Sequence, residues 1–263
     1  MRAPHFLLLA MLGAAPAIAA QRCPAPKAMT FVVDHEIRRS YPGFTEGLEI
    51  ADGALLESTG DLVGNTVINR IDLRTGRVTV LMDAGKRYFG EGLTRFGGKL
   101  YQMSWREHRV FVFDGQMKPL GEMKNPREGW GLTHDGQRLI ASDGSSELFF
   151  LSPADFSTQG SVRVRDERGW VANLNELEYV DGAVWANVFE SWVAVKISPA
   201  TGCVLARADL TPMRERMNVA DLEVINSDGN FVPNGIAWDA ARKTFILTGK
   251  EWPMLFSGHF VEE

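Results

Sequence analysis

The chain has 263 residues, 45 % of them hydrophobic and 23 % charged, with a formal net charge of −5. That apolar content is enough to build a sizeable core. The acidic balance excludes nucleic acid and anionic membrane surfaces as principal partners, because both need a basic face.

The first twenty residues read as a targeting segment. Arg2 supplies a positive start, Phe6 to Leu12 an apolar run, and Ala17-Ile18-Ala19 a small-x-small cleavage site. The segment is expected to be a secretory signal peptide cut after Ala19 or Ala20. The apolar run is too short to cross a bilayer, and no later stretch is long and apolar enough to do so. Residues 21–263 then form one exported domain, periplasmic or extracellular and expected to be a monomer. Cys23 lacks a preceding lipobox, so no lipid anchor is expected. Cys23 and Cys203 are the two cysteines, and an oxidising compartment permits a bridge between them; either one bridge or two thiols fits. The five histidines show no metal-ligand spacing.

Helical periodicity is almost absent from the rest. Short alternating strands recur between turn signals such as Asp52-Gly53, Gly97-Gly98, Asp135-Gly136 and Asp181-Gly182. An internal repeat organises them. Glu46-Gly47-Leu48, Glu91-Gly92-Leu93, Trp130-Gly131-Leu132, Asn175-Glu176-Leu177 and Asn234-Gly235-Ile236 begin units spaced 45, 39, 45 and 59 residues apart. Each continues as strand, turn, strand, and two further strands follow in the first four. Four strands at this period predict an all-β, five-bladed propeller. The last unit shows three strands, so residues 30–37 are expected to supply its outer strand and close the ring. A six-bladed ring is the rival count. Leu210 to Arg216, inside the longest interval, reads as a short helical turn.

The first strand of a blade lines the central channel, so the residue ahead of each Gly-Leu pair takes an equivalent place. Glu46, Glu91, Trp130, Asn175 and Asn234 therefore converge on one mouth. The ends of the second strands add Trp105, Asp143, Phe189 and Lys250, and Phe44 and Phe89 stand two residues before ring carboxylates. An aromatic mouth with a few polar groups is how a small-ligand pocket is built. No histidine falls on the ring to serve a Ser-His-Asp set, and no Gly-rich phosphate loop opens a helix. The chemistry that remains is proton transfer by a carboxylate on a substrate that brings its own nucleophile.

The motifs Phe44-Thr45-Glu46-Gly47-Leu48, Phe89-Gly90-Glu91-Gly92-Leu93, Gly129-Trp130-Gly131-Leu132, Leu174-Asn175-Glu176-Leu177, Asn234-Gly235-Ile236-Ala237-Trp238-Asp239 and Thr248-Gly249-Lys250 resemble those of the plant and bacterial glutaminyl cyclases, over essentially the whole mature chain. The resemblance implies conversion of an N-terminal glutamine of a peptide or protein to pyroglutamate, with loss of ammonia. It implies Glu91 as acid/base, with Asn175 and Lys250 holding the substrate or stabilising charge on its carboxamide. Phe44, Phe89, Trp105, Trp130 and Phe189 would wall the glutamine, and Glu46 and Asn234 would contact it. No cofactor is required, and a structural calcium in the channel is compatible with the ring carboxylates Glu46 and Glu176. Two departures stand out: Glu46 replaces the glutamine of the plant pattern, and Phe189 replaces a tryptophan. A second carboxylate beside Glu91 should raise one of the two pKa values. The alternatives are a calcium-dependent propeller lactonase or hydrolase using Glu46, Asn175 and Asn234 as oxygen ligands, and a propeller that only docks peptides.

Overall fold

The computed structural model describes residues 23–61 and 65–263; the expected signal peptide lies outside them. Strand β1 (Lys27–Arg38) comes first. It is followed by β2–β5 (Thr45–Ala51, Ala54–Thr59, Thr66–Ile71, Val78–Gly85), β6–β9 (Gly90–Phe96, Lys99–Ser104, Arg109–Phe113, Pro119–Lys124) and β10–β13 (Leu132–His134, Leu139–Ala141, Glu147–Leu151, Thr158–Arg163). Next come β14–β17 (Leu174–Val180, Ala183–Val188, Val193–Ile197, Val204–Asp209), helices α1 (Thr211–Glu215) and α2 (Val219–Asn226), and β18–β20 (Pro233–Asp239, Thr244–Gly249, Met254–Glu262). The fold is all-β, as expected.

Each group is an antiparallel meander, and burial falls from its first strand to its last. β2 is almost wholly buried, whereas β5 and β9 are mostly exposed. The first strands abut in a cycle: β2 lies against β6 and β18, β10 against β6 and β14, and β14 against β18. Apolar clusters fill the spaces between neighbouring meanders. Leu56, Ile68, Leu93 and Leu100 join the first two, and Leu48, Leu55, Ala237 and Ile246 join the last to the first.

The glycine of the repeat follows from this crowding. A Cβ on Gly131 would run into the main-chain oxygen of Asn175 on the next strand. In the fourth meander Glu176 holds that place and reaches across the centre. Its carboxylate accepts from Leu48 N at 3.0 Å and Ile236 N at 2.7 Å. It uses both oxygens to satisfy buried amides of two other meanders.

β1 pairs antiparallel with β20 from Met29↔Glu262 to Arg38↔Met254, which supplies the outer strand expected from residues 30–37. It also pairs parallel with β17 through residues 27–30, which the repeat does not foretell. The two meanders thereby share one eight-stranded sheet. Phe31 on β1 is fully buried among Trp185, Phe245 and Phe256. Cys23 and Cys203 are bridged, with Cα atoms 5.4 Å apart across a sequence separation of 180. The expected helical turn is α1; α2, capped by Asn218 accepting from Asp221 N at 2.9 Å, has no counterpart in the sequence reading. Among the described residues, no helix is long and apolar enough to cross a membrane.

The bridge ties the start of β1 to the strand beside it, and a crosslink over so long a loop restricts the unfolded chain strongly. Typical disulfides contribute about 2–4 kcal/mol. Cys203→Ala should therefore lower the thermal transition by roughly 4–16 °C. A melting curve of the oxidised protein unchanged by that substitution would refute the role given to the bridge.

Candidate functional site

The start of four inner strands carries the same irregularity. Pairing jumps from Thr45↔Thr59 to Gly47↔Ser58 past Glu46, and from Gly90↔Ser104 to Leu93↔Gln102 past Glu91. It jumps likewise past Asn175 and past Asn234. A bulge bends its strand and re-aims the side chains it carries. In the third meander Trp130 precedes β10, and its carbonyl accepts from Gly92 N at 2.7 Å. The bulges bring the ring residues to one end of the inner strands.

There they line a cavity of about 490 Å³, within the range of small-molecule sites. Phe44, Glu46, Phe89, Glu91, Trp105, Trp130, Asn175, Phe189 and Lys250 all face it. Asn234 does not. It is fully buried behind the floor, where its Nδ2 donates to Glu46 Oε2 at 3.1 Å and to Thr45 O at 2.9 Å. Its expected contact with substrate is therefore replaced by a hold on Glu46. Asp143 also stays off the cavity and accepts from Ser145 N.

The walls are aromatic. Phe89 lies 5.5 Å from Trp105 and 6.2 Å from Phe44, and Trp130 meets Phe189 edge-on at 5.6 Å. Such pairs add about 0.5–1.5 kcal/mol beyond burial. Trp105 Nε1 donates to Glu128 Oε2 at 3.0 Å, fixing the indole plane. Glycines that end or follow second strands seat the large rings: Phe89 rests over Gly60, Trp130 over Gly144 and Trp252 over Gly249.

The floor is ionic. Lys250 Nζ donates to Glu46 Oε1 at 2.6 Å, with both side chains buried. The ammonium also stands 4.8 Å from the Phe44 ring and 5.1 Å from that of Phe189. Main-chain bonds set Lys250 there: its N–H donates to Val232 O, and that of Glu251 to Gly43 O. Glu91 is 5 % exposed. Among the described residues, no hydrogen bond reaches its carboxyl. Burial pushes that carboxyl well above the ordinary carboxylate range, the Glu46 charge adds to the rise, and Lys250 opposes it. Burial also lifts Glu46, against the pull of Lys250. The second carboxylate thus acts as expected, but after desolvation. Among the described residues, two lining groups lack a hydrogen-bond partner, Asn175 Oδ1 and Trp130 Nε1, as does Asn234 Oδ1 behind the floor.

Five lining residues escaped the sequence reading: Asp61, Asp228, Asn230, Phe231 and Glu251. Asp61 stands two residues past β3, so the strand-end rule that found Trp105 extends to it. Residues 228–231 follow α2 in the long interval, outside the repeat, where no periodic signal exists.

The pattern of the glutamine cyclotransferase family matches residues 6–260. The glutaminyl-peptide cyclotransferase of Arabidopsis thaliana is 36 % identical over 235 residues, 84 % of this chain and 71 % of that protein. The crystal structure of Myxococcus xanthus glutaminyl cyclase superposes with a TM-score of 0.79 at 28 % identity, covering 90 % of this chain and 99 % of that one. The chain belongs to the glutamine cyclotransferase family.

Gly144 combines a left-handed backbone (φ +79°) with the Trp130 ring, whose Cζ2 would lie 2.6 Å from an added Cβ. Gly144→Ala should push Trp130 out of place and lower cyclising kcat/KM on the order of 10²-fold. The strain should cost about 1–3 kcal/mol of stability. Kinetics beside a thermal melt test this, and unchanged kcat/KM would detach Trp130 from the site.

Proposed function

We propose that this enzyme converts the N-terminal glutamine of peptides or proteins to pyroglutamate, on a five-bladed propeller closed by β1. The α-amine nitrogen attacks the γ-carboxamide carbon of the same residue, a C–N bond forms, and the bond to the carboxamide nitrogen breaks. One amine proton passes through Glu91 to the departing nitrogen, which leaves as ammonia. The observation that carries this reading is Glu91: a buried carboxyl with no hydrogen bond from the described residues, facing an aromatic cavity beside a buried ion pair. Such a group, raised above the ordinary carboxylate range by burial, can take and return a proton.

The remaining roles follow from unused polar capacity. Asn175 Oδ1 accepts from the substrate's amine or amide N–H, and Trp130 Nε1 and Lys250 face charge that develops on the carboxamide oxygen. The aromatic walls exclude water and fold the glutamine side chain back on its own amine, which makes the reaction intramolecular. The Lys250 ammonium against Glu46 supplies the positive charge that the calcium-hydrolase alternative would assign to a metal ion. The disulfide fits export into an oxidising compartment.

Glu91→Gln keeps the shape and removes the proton carrier, so ammonia release should fall by roughly 10²–10⁴-fold. Its stability should move the other way. A carboxyl whose folded pKa is raised costs stability as pH rises past its unfolded value, so at neutral pH the variant should melt no lower than the parent. Full turnover in Glu91→Gln would overturn the assignment.

Glu46→Gln tests the pair. It removes the negative charge that raises Glu91 and leaves Lys250 to pull Glu91 down, so both changes act in one direction. The acid limb of the kcat–pH profile should shift to lower pH. A profile that stays put or shifts upward would contradict the coupling.

A further inference from the structure

We infer that the mouth of the cavity selects substrates in which Lys or Arg directly follows the glutamine. The inference rests on the cyclase reading and names its substrate class.

Among the described residues, the lining holds five carboxylic acids and one ammonium. Glu46 already neutralises that ammonium at 2.6 Å. Exposure then grades the others. Glu91 is buried on the floor, Asp61 and Glu251 are half-buried, and Asp228 is exposed. Asp228 and Glu251, from the α2–β18 and β19–β20 connections, thus face the mouth, and Lys250 is the one cation among the described lining residues; Arg39, buried against Glu57, offsets part of the charge around Glu251. Glu107 and Glu128 add to the negative field felt at Glu91. The opposing charge near that side is Arg106, which lies over Trp105 at 3.8 Å and pairs with Glu128 at 3.2 Å.

A second observation points to a ligand on the same cavity. Asn175 lines it, is 2 % exposed, and keeps an amide oxygen without a partner. The floor therefore awaits hydrogen-bond donors. A peptide bound by its first residue on Glu91 and Asn175 must leave through the mouth, which sets its second residue against Asp228 and Glu251. A cleft lined by one sign of charge between apolar walls focuses its field on that path. Asn230 and Phe231, from the same connection as Asp228, provide a polar contact and an apolar bed for a long aliphatic stem.

The test uses three peptides that differ at the second residue: Gln-Lys, Gln-Ala and Gln-Glu, each with the same neutral remainder. Ammonia release gives kcat/KM at low and high salt. Gln-Lys should exceed Gln-Glu by about 3- to 10-fold at low salt, through KM, and the ratio should shrink at high salt. In Asp228→Asn/Glu251→Gln the ratio should fall toward one, with the Gln-Lys peptide losing and the Gln-Glu peptide gaining. A purely structural role for these acids would change both peptides together and leave the ratio standing. Equal kcat/KM for the two charged peptides in the parent enzyme, with Gln-Ala turned over, would overturn the inference and leave the cyclase reading intact. So would a ratio that survives the double substitution. No ammonia from any of the three would overturn both.

Discussion

A buried ion pair sets the floor of this site, and much of the surrounding structure serves to hold it. Burying either Lys250 or Glu46 without the other's charge is costly, because removing one partner of such a pair costs about 3–5 kcal/mol. The two residues lie 204 positions apart in sequence and 2.6 Å apart in space. They come from the first and last meanders, so the pair forms only when β18–β20 return to β2. Asn234 steadies the carboxylate from behind, and main-chain bonds from Val232 and Gly43 aim the lysine. Glu91 sits beside this pair with its carboxyl held out of water. Desolvation and the Glu46 charge raise its carboxyl well above the ordinary carboxylate range, and Lys250 opposes them.

The centre of the molecule follows the same logic with a different outcome. Glu49, Glu176 and Glu178 are also buried, and burial raises all three. Their oxygens, however, are spent on main-chain amides: Glu49 on Arg95 N, Glu176 on Leu48 N and Ile236 N, and Glu178 on Trp238 N. Where inner strands converge, their bulges and splayed ends leave amides unpaired, and a carboxylate from a neighbouring strand satisfies them. What separates Glu91 from these structural acids is hydrogen bonding, since all four are buried.

The legible part of the site was the part built by repetition. Equivalent positions in four of the inner strands share a bulge, and Trp130 takes the matching place just ahead of β10, so Glu46, Glu91, Trp130 and Asn175 could be placed at one mouth from the spacing of their glycines and leucines alone. Asn234 obeys the same rule of place yet turns out to brace Glu46. Place in the repeat fixes where a Cα lies; which way an amide turns depends on what it meets. Lys250 was found as a strand end, but its bond to Glu46 joins chain segments that only ring closure brings together.

The sequence by itself determined the all-β class, the order of the meanders, the closing role of residues 30–37 and the place of Glu91 at the mouth, because each rests on local alternation, turn chemistry or a repeated motif. Tertiary structure decided the rest. It joined β1 to β17, bridged Cys23 to Cys203, and put residues 228–231 on the rim from a helical excursion with no period to reveal it. It also divided the buried glutamates into amide caps, the ion-paired Glu46 and Glu57, and, among the described residues, one carboxyl without a hydrogen bond, Glu91. That division depends on which main-chain groups are left unpaired where five strands meet, and such groups exist only after the strands have met.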